Sequence, residues 1–410
     1  MLSSAEAERI IFTLVEPLQA VERVLLADCL GRVLATAVRS ELDFPHWDNS
    51  AMDGYAVRVE DVQQVPVTLE VVAEIPAGVR PEIALQSGQA ARILTGAMMP
   101  EGADAVVMQE ETVRVGEWGS GGAGVKILSG AVKGAFVRSR GSFYRAGAEL
   151  LRVGRAIAPA EIALLAAAQQ TEVKVYRRPR IAILSTGSEL VEPNKPLEPG
   201  QIVDSNQYAL AALVSQAGAV PVPMGIVVDD REAVKGAIAA ALSQADMVLS
   251  SGGVSVGDYD YIDAVLAELG ATLHIRSVAV KPGKPLTVAT VGEVGKRQLY
   301  FGLPGNPASA MVGFWRFVAP AIKQLSGQSG PWTPEFVWAK AVSELNAGGK
   351  RETYLWGQLQ ATDAGYEFGR AAGSHSSGNL VNLANTSGLG VVPVGKTQIA
   401  VGEAVRVLKI

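Results

Sequence analysis

The chain has 410 residues, which favours several domains over one. Hydrophobic residues make up 48% of it while aromatics reach only 6%, so its core is built mainly from Ala, Val, Leu and Ile, as in many α/β proteins. The net charge of −5 leaves no basic footprint for nucleic acid.

In chain order, residues 3–19 carry helical spacing, with Ser3 or Ser4 as N-cap ahead of Glu6. This charged start does not read as a signal peptide, and no run of ~20 apolar residues predicts a transmembrane helix. A cytoplasmic protein without a membrane partner is expected. Residues 21–40 are of mixed character and include the single cysteine, Cys29. One cysteine excludes an internal disulfide or a multi-cysteine metal centre, and Cys29 reads as a small buried hydrophobe. From Leu42 to about Gly147 short strands are predicted, among them Val67–Ile75, Ala105–Gln109, Thr112–Val115 and Val125–Leu128. The glycine-rich stretch from Trp118 to Gly124 reads as a loop tip between them. Pro159 to Gln169 reads as a short helix.

Near Arg178 the pattern changes. Strands are expected at Arg180–Leu184, Val220–Val228, Asp246–Ser250, Thr287–Val291 and Gln298–Gly302. Helices are expected at Asn206–Ala217, Arg231–Ser243 and Tyr259–Leu269, with another from Pro307. This alternation predicts a doubly wound, mostly parallel sheet with its ligand site at the carboxyl ends of the strands. Residues 331–410 return to short strands (Phe336–Val342, Glu352–Gln360, Glu367–Arg370, Val405–Leu408) and read as a small β domain.

The motifs fall at those strand ends. Ser185-Thr186-Gly187-Ser188-Glu189 follows the first strand and Asp229-Asp230 the second. Ser250-Ser251-Gly252-Gly253-Val254-Ser255-Val256-Gly257-Asp258-Tyr259-Asp260 follows the third. Such a glycine turn at a helix start offers N–H groups to an anion, although its aspartates also suit plain capping. Gly302-Leu303-Pro304-Gly305-Asn306-Pro307 ends another strand, where Asn306 fits an N-cap and Pro307 a first helical residue. In Lys281-Pro282-Gly283-Lys284-Pro285, proline and glycine hold two lysines close, which favours an oxyanion clamp over freely solvated charges. Acids and lysines at this density fit a phosphorylated ligand with a divalent metal, and hard carboxylates suit Mg²⁺. No Walker A sequence is present, and His46, His274 and His375 lack zinc-like spacing. A second polar constellation, Asp48-Asn49-Ser50-Ala51-Met52-Asp53-Gly54-Tyr55-Ala56, is followed by Thr95-Gly96.

Taken in order, these motifs resemble those of the molybdopterin molybdenumtransferases, the family of the bacterial molybdenum-cofactor insertion enzyme and the gephyrin E domain. The resemblance runs from about residue 3 to the C-terminus. It implies a molybdopterin-binding α/β domain at 179–328, a β-rich domain at 42–147, a small helical linking domain of 1–41 with 148–178, and a C-terminal small β-barrel domain at 329–410. It also implies a homodimer whose active cleft lies between subunits. The implied reaction is Mg²⁺-dependent transfer of molybdenum from molybdate into adenylated molybdopterin, with AMP released. A molybdopterin adenylyltransferase and molybdoenzyme targets are the partners it suggests.

Carried over residue by residue, Asp53, Thr95, Glu189, Asp229, Asp260, Lys281 and Lys284 are the catalytic candidates, with Glu189 and Asp229 also holding metal. Thr186, Gly187, Ser251, Gly252, Gly253, Ser255, Pro304, Asn306, Pro307 and Ser377 are the candidates for binding the pterin substrate. Two positions depart from the family pattern. Gly141-Ser142-Phe143 lacks the family's acid, for which Glu149 is a candidate substitute, and Ser277 stands where a lysine is common, with Arg276 beside it. An adenylyltransferase would leave residues 1–178 and 331–410 unexplained. A gephyrin-like scaffold would not need the acids and lysines.

Overall fold

The computed structural model describes residues 1–116, 122–253, 262–295 and 297–410. The expectations for Ser255, Asp258, Asp260, the helix start at Tyr259 and the loop tip from Trp118 fall outside these residues. The chain forms two compact units, one of Met1–Thr36, Val153–Ile162 and Thr171–Ile410, the other of Ala37–Arg152 and Ala163–Gln170.

The first unit begins with the helix Ser4–Leu14. Ser3 and Glu6 form a reciprocal capping box at its start, and Ala7, Ile11 and Leu14 are buried at helical spacing. The helix stops short of the predicted end at residue 19, because Pro17 cannot continue the ladder. Within the mixed segment 21–40, Val21–Leu25 is a strand pairing antiparallel with Glu172–Tyr176.

The α/β sheet has six strands in the order Val220–Val227, Arg180–Thr186, Met247–Ser251, Gln298–Leu303, Pro285–Val291, Thr272–Ser277. The first four are parallel. The last two run as an antiparallel meander, since the short connection 292–297 is too brief for a crossover helix. Along Arg180–Thr186, Ile181 and Ile183 join one core with the helices Asn206–Gln216 and Pro307–Gly313, while Ala182 and Leu184 join another with Arg231–Gln244 and Ile262–Glu268. Period-two alternation on a sheet covered on both faces explains why the strand reads as a continuous apolar run.

Five strands close the C-terminal barrel. Phe336–Ala341, Ala404–Lys409, Gly388–Val392, Glu352–Thr362 and Gly365–Arg370 pair in that order and return to the first. Leu355, Phe368 and Val405 fill its interior. Val280–Lys281 adds two parallel residues against Glu352 and Thr353.

The second unit holds a six-stranded sheet ordered Ala105–Met108, Gly54–Val57, Gln89–Ile93, Val67–Ile75, Gly124–Ile127, Thr112–Val115. Gly54 is required where its strand crosses close to its neighbour, because a Cβ there would meet the Val107 carbonyl oxygen at 2.0 Å. Among the described residues, no helix is long and apolar enough to cross a membrane.

Candidate active site

A cleft of about 1070 Å³ opens at the carboxyl ends of the parallel strands, inside the first unit. It gathers Thr186, Glu189, Asp229, Ser251, Gly252, Gly253, Lys281, Lys284, Pro304, Asn306, Pro307 and Ser377. Gly187 is not on its lining. Asp53 and Thr95 lie in the other unit.

The floor is built from glycine-dependent contacts. Gly252 has φ +97°, and a Cβ on it would stand 2.3 Å from the Thr186 carbonyl oxygen. Only glycine lets the turn after Met247–Ser251 rest on the one after Arg180–Thr186. Asn206 ties in the neighbouring loop. Its Nδ2 donates to Ser251 Oγ at 2.6 Å and to the Gly305 carbonyl at 2.8 Å. Among the described residues, Ser185 Oγ and Thr186 Oγ1 are buried without a partner, so the floor carries spare hydrogen-bonding capacity.

The acidic side comes from two pinned loops. Ser188 N–H donates to Asp229 Oδ2 at 3.4 Å, and Asp229 N–H donates to Ser188 Oγ at 3.2 Å. Asp230 does separate work, because its Oδ1 accepts from Ala233 N–H at 2.9 Å and caps the helix Arg231–Gln244. Glu189 and Asp229 are exposed and form no ion pair among the described residues. Among those residues no group of three or more potential metal ligands occurs.

The cationic side is Lys281, Lys284 and Arg351. The turn carrying the lysines is closed by Val278 N–H on the Lys284 carbonyl at 3.0 Å, with Gly283 at φ +100°. Arg351 donates through Nη1 to the Val280 carbonyl at 3.2 Å. Both lysines are exposed, and neither pairs with an acid among the described residues.

Several expectations change. Asn306 sits at the cap position but makes no side-chain cap bond, so its N-cap role is absent. The helix start is instead tied to the barrel, where Ala308 N–H donates to the Ser377 carbonyl at 3.0 Å. Arg276 does not reach the cleft lining, since it pairs with Asp263 at 2.6 Å. Glu149 pairs with Arg39 and Arg152. The third cleft cation is Arg351, which sequence reasoning missed, as it missed Asn206, Ser309, Thr353 and His375. The polar run Asp204-Ser205-Asn206 ahead of a helix was a usable signal for Asn206. Arg351 follows Gly348-Gly349-Lys350 and carried none.

In the second unit one oxygen of Asp53 is held by Thr95. Thr95 N–H and Thr95 Oγ1 both donate to its Oδ1 at 2.7 Å. The Thr95 N–H first, then the hydroxyl, hold its carboxyl below the usual carboxylate range.

Comparison with known proteins covers the whole chain. Residues 2–168 match the MoeA N-terminal region (domain I and II), 182–324 a probable molybdopterin binding domain, and 339–410 the MoeA C-terminal region (domain IV). A molybdopterin molybdenumtransferase from Nostoc sp. is 55% identical, over 100% of this chain and 94% of the relative. One from Haemophilus influenzae is 34% identical, over 94% and 93%. A crystal structure of a molybdopterin biosynthesis MoeA protein from Pyrococcus horikoshii superposes with a TM-score of 0.83 at 28% identity, covering all of both chains. With relatives matching from end to end, the chain belongs to the molybdopterin molybdenumtransferase family.

Proposed function

We propose that this protein transfers molybdenum from molybdate into adenylated molybdopterin and releases AMP. The observation that carries the reading is the gathering of Lys281, Lys284 and Arg351 in one cleft with the carboxylates of Glu189 and Asp229 and the glycine turn at Gly252. The three cations supply donors for molybdate and for the substrate's phosphates. Bound side by side there, the oxyanion and the pterin dithiolene react as an effectively unimolecular pair, which lowers the entropic barrier. Ser185 Oγ and Thr186 Oγ1 offer further donors to phosphate oxygens. No side-chain nucleophile is needed for this exchange.

The donor set fits Mg²⁺. Glu189 and Asp229 are hard oxygen ligands on one cleft, and Mg²⁺ binds through one or two carboxylates together with substrate phosphates. When bound, the ion supplies Lewis-acid polarisation of the phosphoanhydride. Asp260 belongs to the same set by resemblance. The working form is a homodimer in which Asp53 and Thr95 of a second copy complete the cleft. A molybdopterin adenylyltransferase supplies the substrate, molybdoenzymes take the product, and the protein works in the cytoplasm.

The test is a defined assay with purified protein, adenylated molybdopterin, molybdate and Mg²⁺. AMP should appear in step with molybdenum bound to the pterin. Adenylation of molybdopterin from ATP, without turnover of the adenylated form, would overturn the reading in favour of an adenylyltransferase. Wild-type rates in Asp53→Ala and Glu189→Ala would favour a scaffold.

A further inference from the structure

A largely buried polar chain, to which the transfer reaction as read above assigns no role, runs from the N-terminal helix to Tyr354 on the cleft lining. Glu8, on the N-terminal helix, pairs with Arg316. Arg316 lies in the π-helical segment Phe314–Val318, which continues the helix that begins at Pro307 in the cleft. Its Nε donates to Tyr354 Oη at 3.1 Å, and Tyr354 donates onward to Glu352 Oε1 at 2.5 Å. Burial works against the Arg316 charge, but Tyr354, Glu8 and Glu352 outweigh it and hold the guanidinium above its usual range. Burial pushes the Tyr354 phenol up, so it stays a proton donor.

The chain ends where the cations are seated. Glu352 N–H donates to the Ala279 carbonyl at 2.9 Å, and Arg351 Nη1 donates to the Val280 carbonyl next to it. These bonds zip 279–281 to 351–353 in a register that sets Val280 against Glu352 and Lys281 against Thr353. A two-residue strand has little power to fix its own register. A buried ion pair among aromatic neighbours adds little stability over an apolar filling, and its best attested use is to fix one register. Here Phe317 and Phe336 flank the guanidinium at 5.1 and 5.9 Å.

We propose that Glu8, Arg316, Tyr354 and Glu352 are positioning residues that set the register of Lys281 and Arg351, and so tie anion affinity in the cleft to the docking of the N-terminal helix. The proposal rests on the reading of that cleft as a molybdate seat.

Tyr354→Phe and Glu8→Gln, made in the full chain, test it with molybdate alone as probe. Calorimetric titration should show affinity falling about 3- to 30-fold in both variants. Amide hydrogen exchange should quicken in peptides covering 279–285 and 351–355 while that of Arg180–Thr186 holds. Wild-type affinity and exchange in both variants would overturn the proposal. So would exchange that rises uniformly, including in Arg180–Thr186, since the chain would then serve stability only. If the wild-type protein bound no molybdate, the cleft reading would fail, and exchange at the 279–281 and 351–353 pair would still decide the positioning role.

Discussion

The cleft of the first unit and the Asp53 turn of the second treat their polar groups in opposite ways. Among the described residues, Lys281, Lys284, Glu189 and Asp229 form no ion pairs in the cleft, and Ser185 Oγ and Thr186 Oγ1 find no partner there. At the turn, Asp53 Oδ1 accepts two bonds from Thr95, and elsewhere in the same unit Asp43 accepts from Ala146 N–H and Arg140. The first region is chemically open and holds capacity in reserve for a ligand. The second is tied locally through Asp53 Oδ1, which suits a rigid element that presents groups outward. Both read as dense polar motifs in sequence, so polarity alone does not separate a ligand seat from a finished turn.

The comparison breaks or sharpens on graded substitutions. The largest effect is expected from the double variant Lys281→Ala with Lys284→Ala. Molybdenum incorporation should fall about 10²- to 10³-fold, as when preorganised donors are lost. Both side chains are exposed, so the thermal midpoint should barely move. Activity near wild type would mean that the open cleft is not the seat.

Asp53→Ala should cost about 10²-fold in incorporation by releasing the Thr95 turn, with calorimetric molybdate affinity unchanged. If molybdate affinity fell as well, the division between an open seat and a finished turn would fail. Gly252→Ala places a Cβ 2.3 Å from the Thr186 carbonyl, so about 1–3 kcal/mol of stability should be lost, with affinity for adenylated pterin falling too. Denaturant unfolding and substrate titration read both.

A smaller effect separates two helix starts. Asp230→Ala removes a real cap and should cost about 1 kcal/mol. Asn306→Ala removes no cap bond and should cost under about 0.5 kcal/mol by the same unfolding measurement. The smallest concerns pH. The carboxyl of Asp53 is lowered in the folded protein, so its stabilisation is complete above the unfolded value of about 3.9 and disappears as pH falls through the lower folded value. Carboxyl-carbon NMR should show Asp53 titrating below that of a Thr95→Val variant. A midpoint at or above about 3.9 would mean that the turn is not self-satisfied.

The alternation of strand and helix from Arg180 to Leu325 was legible because each element carries its own period and its own punctuation. Strand ends carry Gly and Asp, and helix starts carry Asp230 and Pro307. The antiparallel pairing of Pro285–Val291 with both neighbours was not legible, because strand direction is set by the partner and not by the segment. Asn306 looks like a cap in sequence, but the backbone bond from Ala308 to Ser377 takes that place, and a residue 69 positions beyond Ala308 cannot be read from local pattern.

By itself the sequence determined the elements, the glycine turns, the paired lysines and, through their order, the family. These rest on local sterics and periodicity, which act over a few residues. Tertiary structure alone decided that Arg351 supplies the third cation, that Arg276 is spent on Asp263, and that Asn206 joins two loops of the cleft. Those outcomes depend on which distant segments meet, and a charge gains its partner or its freedom only when the chain has closed around it.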